Sequence, residues 1–286
     1  MSVPDYGRRK QKNNDMRPGF GAHIGYSKDK TMNYQSILER LEKQKGHIGV
    51  FVKNLATGEV FDYHAGEKFL AASVIKLPVF MCISKWAEEG KADFSEKIKV
   101  RNEDKLPVCG ALTLFTDEPV VDVRTLCNLM ISLSDNAATN ILIKRFGMPA
   151  YIDEFSEIGL KNTELNRVLF DSEASEAGVE NYIVPSEMAM LLEKLYNKQF
   201  VSETVSDKII ETLLLQQINH KIPGIIGDAV PIAHKTGEDD NLSNDVGIVY
   251  AKQPFIICMA GHDTCTGEWE ELQRHLAYEV FEEYNR

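Results

Sequence analysis

The sequence predicts an α+β fold, with an antiparallel sheet built from both chain ends, helices flanking it and a helical lobe inserted between those ends. Three observations carry this: a hairpin pattern near the start, three short β-branched runs near the end, and helical periodicity in the chain between them.

The first element is an amphipathic helix, because the stretch from Tyr34 to Lys45 places Ile37, Leu38 and Leu41 on one face. Gly46 ends it. The run from His47 to Leu55 reads as a strand, which Ala56, Thr57 and Gly58 turn into a second strand from Glu59 to His64. Helical patterns then cover residues 74–89, 122–146 and 185–196, with a further segment near 206–217. The runs 231–236, 245–251 and 255–261 are strands separated by Gly, Asn, Asp and Pro. A last helix from Gly267 sets Trp269, Leu272, Leu276, Val280 and Phe281 on one face. Residues 1–31 read as a polar, flexible tail, and 32–286 as one domain. Within it, 32–66 and 222–286 form an α/β lobe and 67–221 a mainly helical lobe, with the active site expected in the cleft between them.

Composition narrows the function. With 286 residues and 43% apolar content the chain can bury a large core, and it is expected to be a soluble monomer. A net charge of −11, from 32 basic against 43 acidic residues, argues against nucleic acid as a partner. The basic cluster Arg8, Arg9, Lys10 and Lys12 sits in the polar tail and reads as solvated. No run approaches the roughly 18 apolar residues of a membrane span, and no apolar stretch follows the basic cluster as a secretory signal requires. The chain as written reads as cytoplasmic, whereas removal of a leader would imply an extracellular or cell-surface protein. Five cysteines (Cys82, Cys109, Cys127, Cys258 and Cys265) without a C-x-x-C pair suggest buried, reduced thiols. The seven histidines show no metal-ligand spacing and there is no phosphate loop, so neither a metal nor a cofactor is expected.

Three short motifs carry the chemistry. In Ser73-Val74-Ile75-Lys76 the two functional side chains lie one helical turn apart, so the amine can reach the hydroxyl. A free serine is a poor nucleophile and needs such a base. Ser73 also falls at a helix N-terminus, where backbone N–H groups favour developing negative charge. Such a spacing arises by chance about once in a chain of this size. The second motif, Ser134-Asp135-Asn136, lies inside a helical run, and its outer residues can share a cleft only if the backbone turns there; helix capping is the alternative role. The third, Lys235-Thr236-Gly237, falls where an apolar strand runs out, offering a cation for a carboxylate and a glycine that permits close approach. A plain strand end is the alternative there.

Together these motifs resemble the S-x-x-K, S-D-N and K-T-G signature of class A β-lactamases and penicillin-binding proteins. The likeness extends over residues 36–282 through the phrases Ala72-Ser73-Val74-Ile75-Lys76-Leu77-Pro78, Thr163-Glu164-Leu165-Asn166 and Asn244-Asp245-Val246-Gly247-Ile248-Val249. The resemblance implies a hydrolase in which Ser73 is acylated, Lys76 accepts its proton and Ser134 relays a proton to the leaving nitrogen. It assigns Asn136 to the substrate amide, and Lys235, Thr236 and Gly237 to the carboxylate end of the substrate. The backbone N–H groups of Ser73 and Asp239 would form the oxyanion hole.

Two departures stand out. In class A β-lactamases a glutamate two residues before the Glu-Leu-Asn phrase activates the deacylating water; here Asn162 holds that position. An amide cannot take that proton. Glu164, Asp171 and Glu173 are the replacement candidates, Glu164 the weakest because its family counterpart is structural. Some members also bridge two helices with a disulfide, but Phe80 stands opposite Cys127 here, so no disulfide is implied. The readings left open are a β-lactam hydrolase with slow deacylation, a D-alanyl-D-alanine peptidase or esterase of the same fold, and a sensor acylated without turnover.

Overall fold

The computed structural model describes residue 32, residues 34–106 and residues 109–286; the expected tail over 1–31, with its basic cluster, lies outside the described residues. After helix α1 (Gln35–Leu41) come strands β1 (His47–Asn54), β2 (Val60–Tyr63) and β3 (Phe69–Leu70). A short 3-10 turn, Ala72–Ile75, leads into α2 (Lys76–Glu88), followed by β4 (Lys97–Lys99) and β5 (Val120–Asp122). The middle continues with α3 (Val123–Ser132), α4 (Asn136–Phe146), α5 (Met148–Ile158), α6 (Ser172–Glu176), β6 (Tyr182–Ile183), α7 (Pro185–Tyr196) and α8 (Glu203–Leu213). The chain closes with α9 (Pro223–Ile226), β7 (Ile232–Asp239), β8 (Leu242–Val249), β9 (Phe255–His262) and α10 (Thr266–Tyr284).

Both chain ends build the main sheet, as expected: its five strands run in the order β2-β1-β9-β8-β7. All pairs are antiparallel. Strand β9 is buried along nearly its whole length because both faces are covered. Ile256, Cys258 and Ala260 join the core shared with the helical lobe, while Phe255, Ile257 and Met259 join the core under α1 and α10. Burial on two sides explains why the sequence there is continuously apolar rather than alternating. The terminal helices are clasped by a bidentate Arg40–Glu279 pair, at 2.6 and 2.5 Å, and by the Tyr34 and Tyr284 hydroxyls, 2.6 Å apart.

The local differences from expectation have identifiable causes. The helical run over 122–146 is two helices, because Ser134 adopts a left-handed φ of +54° and breaks the ladder between them. The helix expected near 206–217 runs instead over Glu203–Leu213, started by Ser202, whose side chain caps the Val205 N–H. Helix α5, bracketed by Gly147 and Gly159, had no sequence assignment. The cysteines are all free, but only Cys82, Cys127 and Cys258 are buried; Cys109 and Cys265 are exposed, which corrects the expectation of five buried thiols.

Candidate active site

Ser73 lies in the 3-10 turn and Lys76 opens α2, so the one-turn spacing read from the sequence becomes a contact of 2.8 Å between Nζ and Oγ. Ala72, just before the serine, has a φ of +39°, a costly conformation for a residue with a Cβ. Lys76 is fully buried, and its Nζ also lies 2.7 Å from the Ser134 carbonyl, 2.7 Å from Asn136 Oδ1 and 3.1 Å from Ser134 Oγ. A neutral amine has two N–H bonds. In that form the carbonyl and the amide oxygen take both and the lone pair faces the serine hydroxyl, whereas in the ammonium form the remaining N–H donates to Ser73 Oγ. Burial holds the Lys76 pKa well below the usual lysine value, and the nearby Lys235 charge adds to that. Among the described residues no carboxylate hydrogen-bonds either Ser73 or Lys76.

The turn at Ser134 aims its hydroxyl between two amines, with Lys235 Nζ donating to Oγ at 3.0 Å. The neighbouring Asp135 has a different task. Its Oδ1 caps α4 by accepting the Ala138 N–H at 2.9 Å, while Oδ2 accepts the N–H groups of Ala111 and Leu112 at 2.7 and 2.9 Å. Capping and site-building therefore coexist in this motif, divided among its three residues. The loop pinned by Asp135 passes so close that a Cβ on Gly110 would overlap the Asp135 carboxylate, and Gly110 has a φ of +110°.

Strand β7 brings the third motif alongside. Lys235 is fully buried and gives its second hydrogen bond to the Thr236 carbonyl at 2.7 Å. Burial first, and then the charge of Lys221, lower its pKa to about 7. Lys221 is a site residue that sequence reasoning missed: it is fully buried, with Nζ 2.6 Å from Glu238 Oε1. It precedes a short irregular helix, so no periodicity marks it. A Cβ on Gly237 would lie 3.0 Å from the Val74 nitrogen and 3.1 Å from that of Ser73, so glycine is what lets β7 approach the serine.

The strand register corrects one expectation. The Tyr250 N–H donates to the Pro231 carbonyl at 3.1 Å, which sets the phase of the uninterrupted β7–β8 ladder. In an antiparallel ladder the mutually bonded pairs recur every second residue, so Gly237 and Asp239 turn their N–H groups toward β8. Asp239 also closes the hairpin with Leu242. Its N–H is therefore committed to the sheet. Because β7 is the edge strand, the N–H that points outward beside Ser73 is that of Glu238.

The three candidate acids are placed differently. Glu164 pairs with Lys68 at 2.5 Å and accepts from Asn166, and the Lys68 amine holds its pKa below the ordinary value. Asp171 caps α6 by accepting the Ala174 N–H at 3.0 Å, and Glu173 is exposed in the first turn of that helix. Asn140 on α4 fastens the segment just before Asp171, bonding both backbone groups of Leu169 at 2.7 and 2.8 Å. Asn162 is exposed, and the N–H groups of Lys161, Asn162 and Thr163 all donate to the Glu187 carboxylate, at 2.8 to 3.0 Å.

A buried amine against a serine hydroxyl, on this sheet-and-helix frame, defines the class as a serine hydrolase of β-lactamase-like fold. The model of the beta-lactamase enzyme family matches residues 33–283, and the chain belongs to that family. The β-lactamase CARB-4 of Pseudomonas aeruginosa is 24% identical over 255 residues, covering 84% of this chain and 85% of that enzyme. Among solved structures, a β-lactamase from Sphaerobacter thermophilus superposes with a TM-score of 0.81 at 22% identity, covering 88% of this chain and 98% of the other. PBP-A gives a TM-score of 0.79 at 27% identity, covering 87% and 94%. A leucine-to-glutamate mutant of PBP-A, solved as an acyl-enzyme with penicillin G, gives 0.79 at 26% identity, covering 87% and 95%.

Proposed function

We propose that this chain is a serine β-lactamase-like hydrolase that opens β-lactam amides through an acyl-enzyme on Ser73, with deacylation as the slow step. One observation carries the reading: the Lys76 amine lies 2.8 Å from Ser73 Oγ while no carboxylate bonds either group among the described residues. Ser73 Oγ attacks the lactam carbonyl carbon and its proton passes to Lys76. The carbonyl oxygen becomes an oxyanion held by the N–H groups of Ser73 and Glu238. As the C–N bond breaks, Ser134 gives a proton to the leaving nitrogen and is reprotonated from the lysine side. Asn136 receives the substrate amide, while Lys235 and Thr236 take its carboxylate.

Hydrolysis of the ester then requires a water and a base. Glu164 is tied to Lys68, which leaves Asp171 and Glu173 as candidate bases and a slow step in the absence of either. General-base help is worth roughly 10²–10⁴ in rate. The test is an intact-mass time course with penicillin on the wild type, Ser73→Ala and Asn162→Glu. The reading requires an adduct on the wild type that forms fast and clears slowly, no adduct on Ser73→Ala, and faster clearance in Asn162→Glu. An adduct on Ser73→Ala would overturn the assignment. Rapid wild-type clearance would point to another base, and Asp171→Asn and Glu173→Gln would then identify it by a selective loss of deacylation.

A second reading, a D-alanyl-D-alanine peptidase or an acylated sensor, is favoured by the same missing carboxylate and by the similarity to PBP-A. Release of D-alanine from a D-alanyl-D-alanine peptide, faster than penicillin turnover, would establish the peptidase. The hydrolase is proposed to act as a monomer, which sedimentation equilibrium tests.

A further inference from the structure

We propose that His220, Glu238 and Glu270 form a zinc site at the end of β7. No sequence spacing announces it, since the three come from the segment after α8, from the edge strand and from the start of α10. Their ligand atoms all lie within 4.8 Å of one another. His220 Nε2 is 3.3 Å from Glu238 Oε1 and 3.6 Å from Glu270 Oε1. Two ligands of a tetrahedral zinc, each about 2.0–2.1 Å from the ion, are separated by about 3.4 Å. The two edges that meet at His220 match that separation, and the third, between the carboxylates, lies within 4.8 Å.

The carboxylate oxygens that face the histidine are already oriented. Lys221 Nζ donates to Glu238 Oε1 at 2.6 Å, and Ser243 Oγ donates to Glu270 Oε1 at 2.9 Å. Each oxygen keeps a further lone pair for a metal. Outer partners of this kind are what hold metal-ligating carboxylates in place. One imidazole and two carboxylates suit zinc, with the fourth position left to water. The side chains of His220 and Glu238 are 44% and 43% exposed, so the ion can enter from solvent.

The position has a consequence for substrate capture. Thr236 and Glu238 are two residues apart on β7 and share one face of the strand. Without an ion, the cluster sets two carboxylates against the single ammonium of Lys221, a net negative charge beside the strand that carries Thr236. A divalent cation cancels that charge. This consequence rests on the role proposed for Lys235 and Thr236; zinc binding itself does not.

The test is calorimetric titration of chelator-treated protein with zinc chloride, in the wild type, His220→Ala, Glu270→Gln and, as a control on an exposed histidine outside the cluster, His275→Ala. The expected result is one site in the wild type and in His275→Ala, with affinity lowered at least about 10–100-fold in the other two. Absence of a site in the wild type, or unchanged affinity in His220→Ala, overturns the proposal. KM for a carboxylate-bearing β-lactam is then measured with and without zinc. A fall in KM with zinc, absent in His220→Ala, supports the consequence. An unchanged KM with the site occupied overturns the consequence and leaves the binding result standing.

Discussion

Ser134 is the residue on which the site turns. Its left-handed backbone brings one hydroxyl within 3.1 Å of Lys76 Nζ and 3.0 Å of Lys235 Nζ. A glycine adopts that backbone without strain but removes the acceptor of two buried amines, so Ser134→Gly is expected to lower stability by about 1–2 kcal/mol while sharply reducing acylation. Denaturant melts paired with penicillin labelling check both halves; retained labelling would remove Ser134 from the proton path. Lys235 yields a pH prediction. Its amine has a pKa near 10.5 when unfolded and about 7 here, so between these values the unfolded chain holds a proton that the folded chain lacks. Stability contributed by this residue therefore rises with pH across that window, while capture of a carboxylate, which needs the ammonium, falls as pH passes about 7. Lys76 acts in the opposite sense, because it serves as a base only once deprotonated. A bell-shaped pH profile of kcat/KM is expected, and Lys235→Arg should lack the alkaline limb, since arginine keeps its proton. An alkaline limb retained in that variant would clear Lys235 of the role.

At the scale of elements, the site depends on how closely the β7 strand, the 3-10 turn and the Asp135 loop approach. Gly237→Ala would put a methyl about 3.1 Å from the Ser73 nitrogen, where the oxyanion is proposed to sit. It is expected to slow acylation at least about tenfold, the effect of a few tenths of an ångström of misplacement at a donor worth several kcal/mol. Stopped-flow acylation rates decide this, and unchanged rates would mean that the hole lies elsewhere. Asp135→Ala leaves three N–H groups without their acceptor, so a loss of about 2–3 kcal/mol is expected in chemical denaturation. A loss below about 0.5 kcal/mol would mean that water replaces the carboxylate there.

At the scale of the whole molecule, one large core joins the helical lobe to the sheet. It holds Leu77 and Leu126 from the helices together with Val246, Ile256 and Ala260 from the strands. Neither lobe can close its apolar face alone. Residues 32–286 are therefore expected to unfold in one cooperative transition, with calorimetric and van't Hoff enthalpies in agreement. Two resolved transitions would show that the lobes are separate folding units.

Much of this was written along the chain. Periodicity in the helices, the hairpin, the apolar runs of the last strands and the Ser73–Lys76 spacing are local relations, decided by neighbours a few residues apart. The three motifs could likewise be recognised from residue types in order. Tertiary structure alone decided the relations between distant segments: that Lys235 reaches Ser134 across 101 positions and that Lys221 is buried beside Glu238. It also decided that His220, Glu238 and Glu270 meet. The direction of a single N–H belongs there too, because shifting a strand by one residue exchanges its edge and ladder groups, and only the observed pairing selects Glu238 over Asp239. The physical reason is the same in each case. Local geometry is set by the backbone within a few residues, whereas burial, register and convergence of charges follow from which surfaces the whole chain packs together.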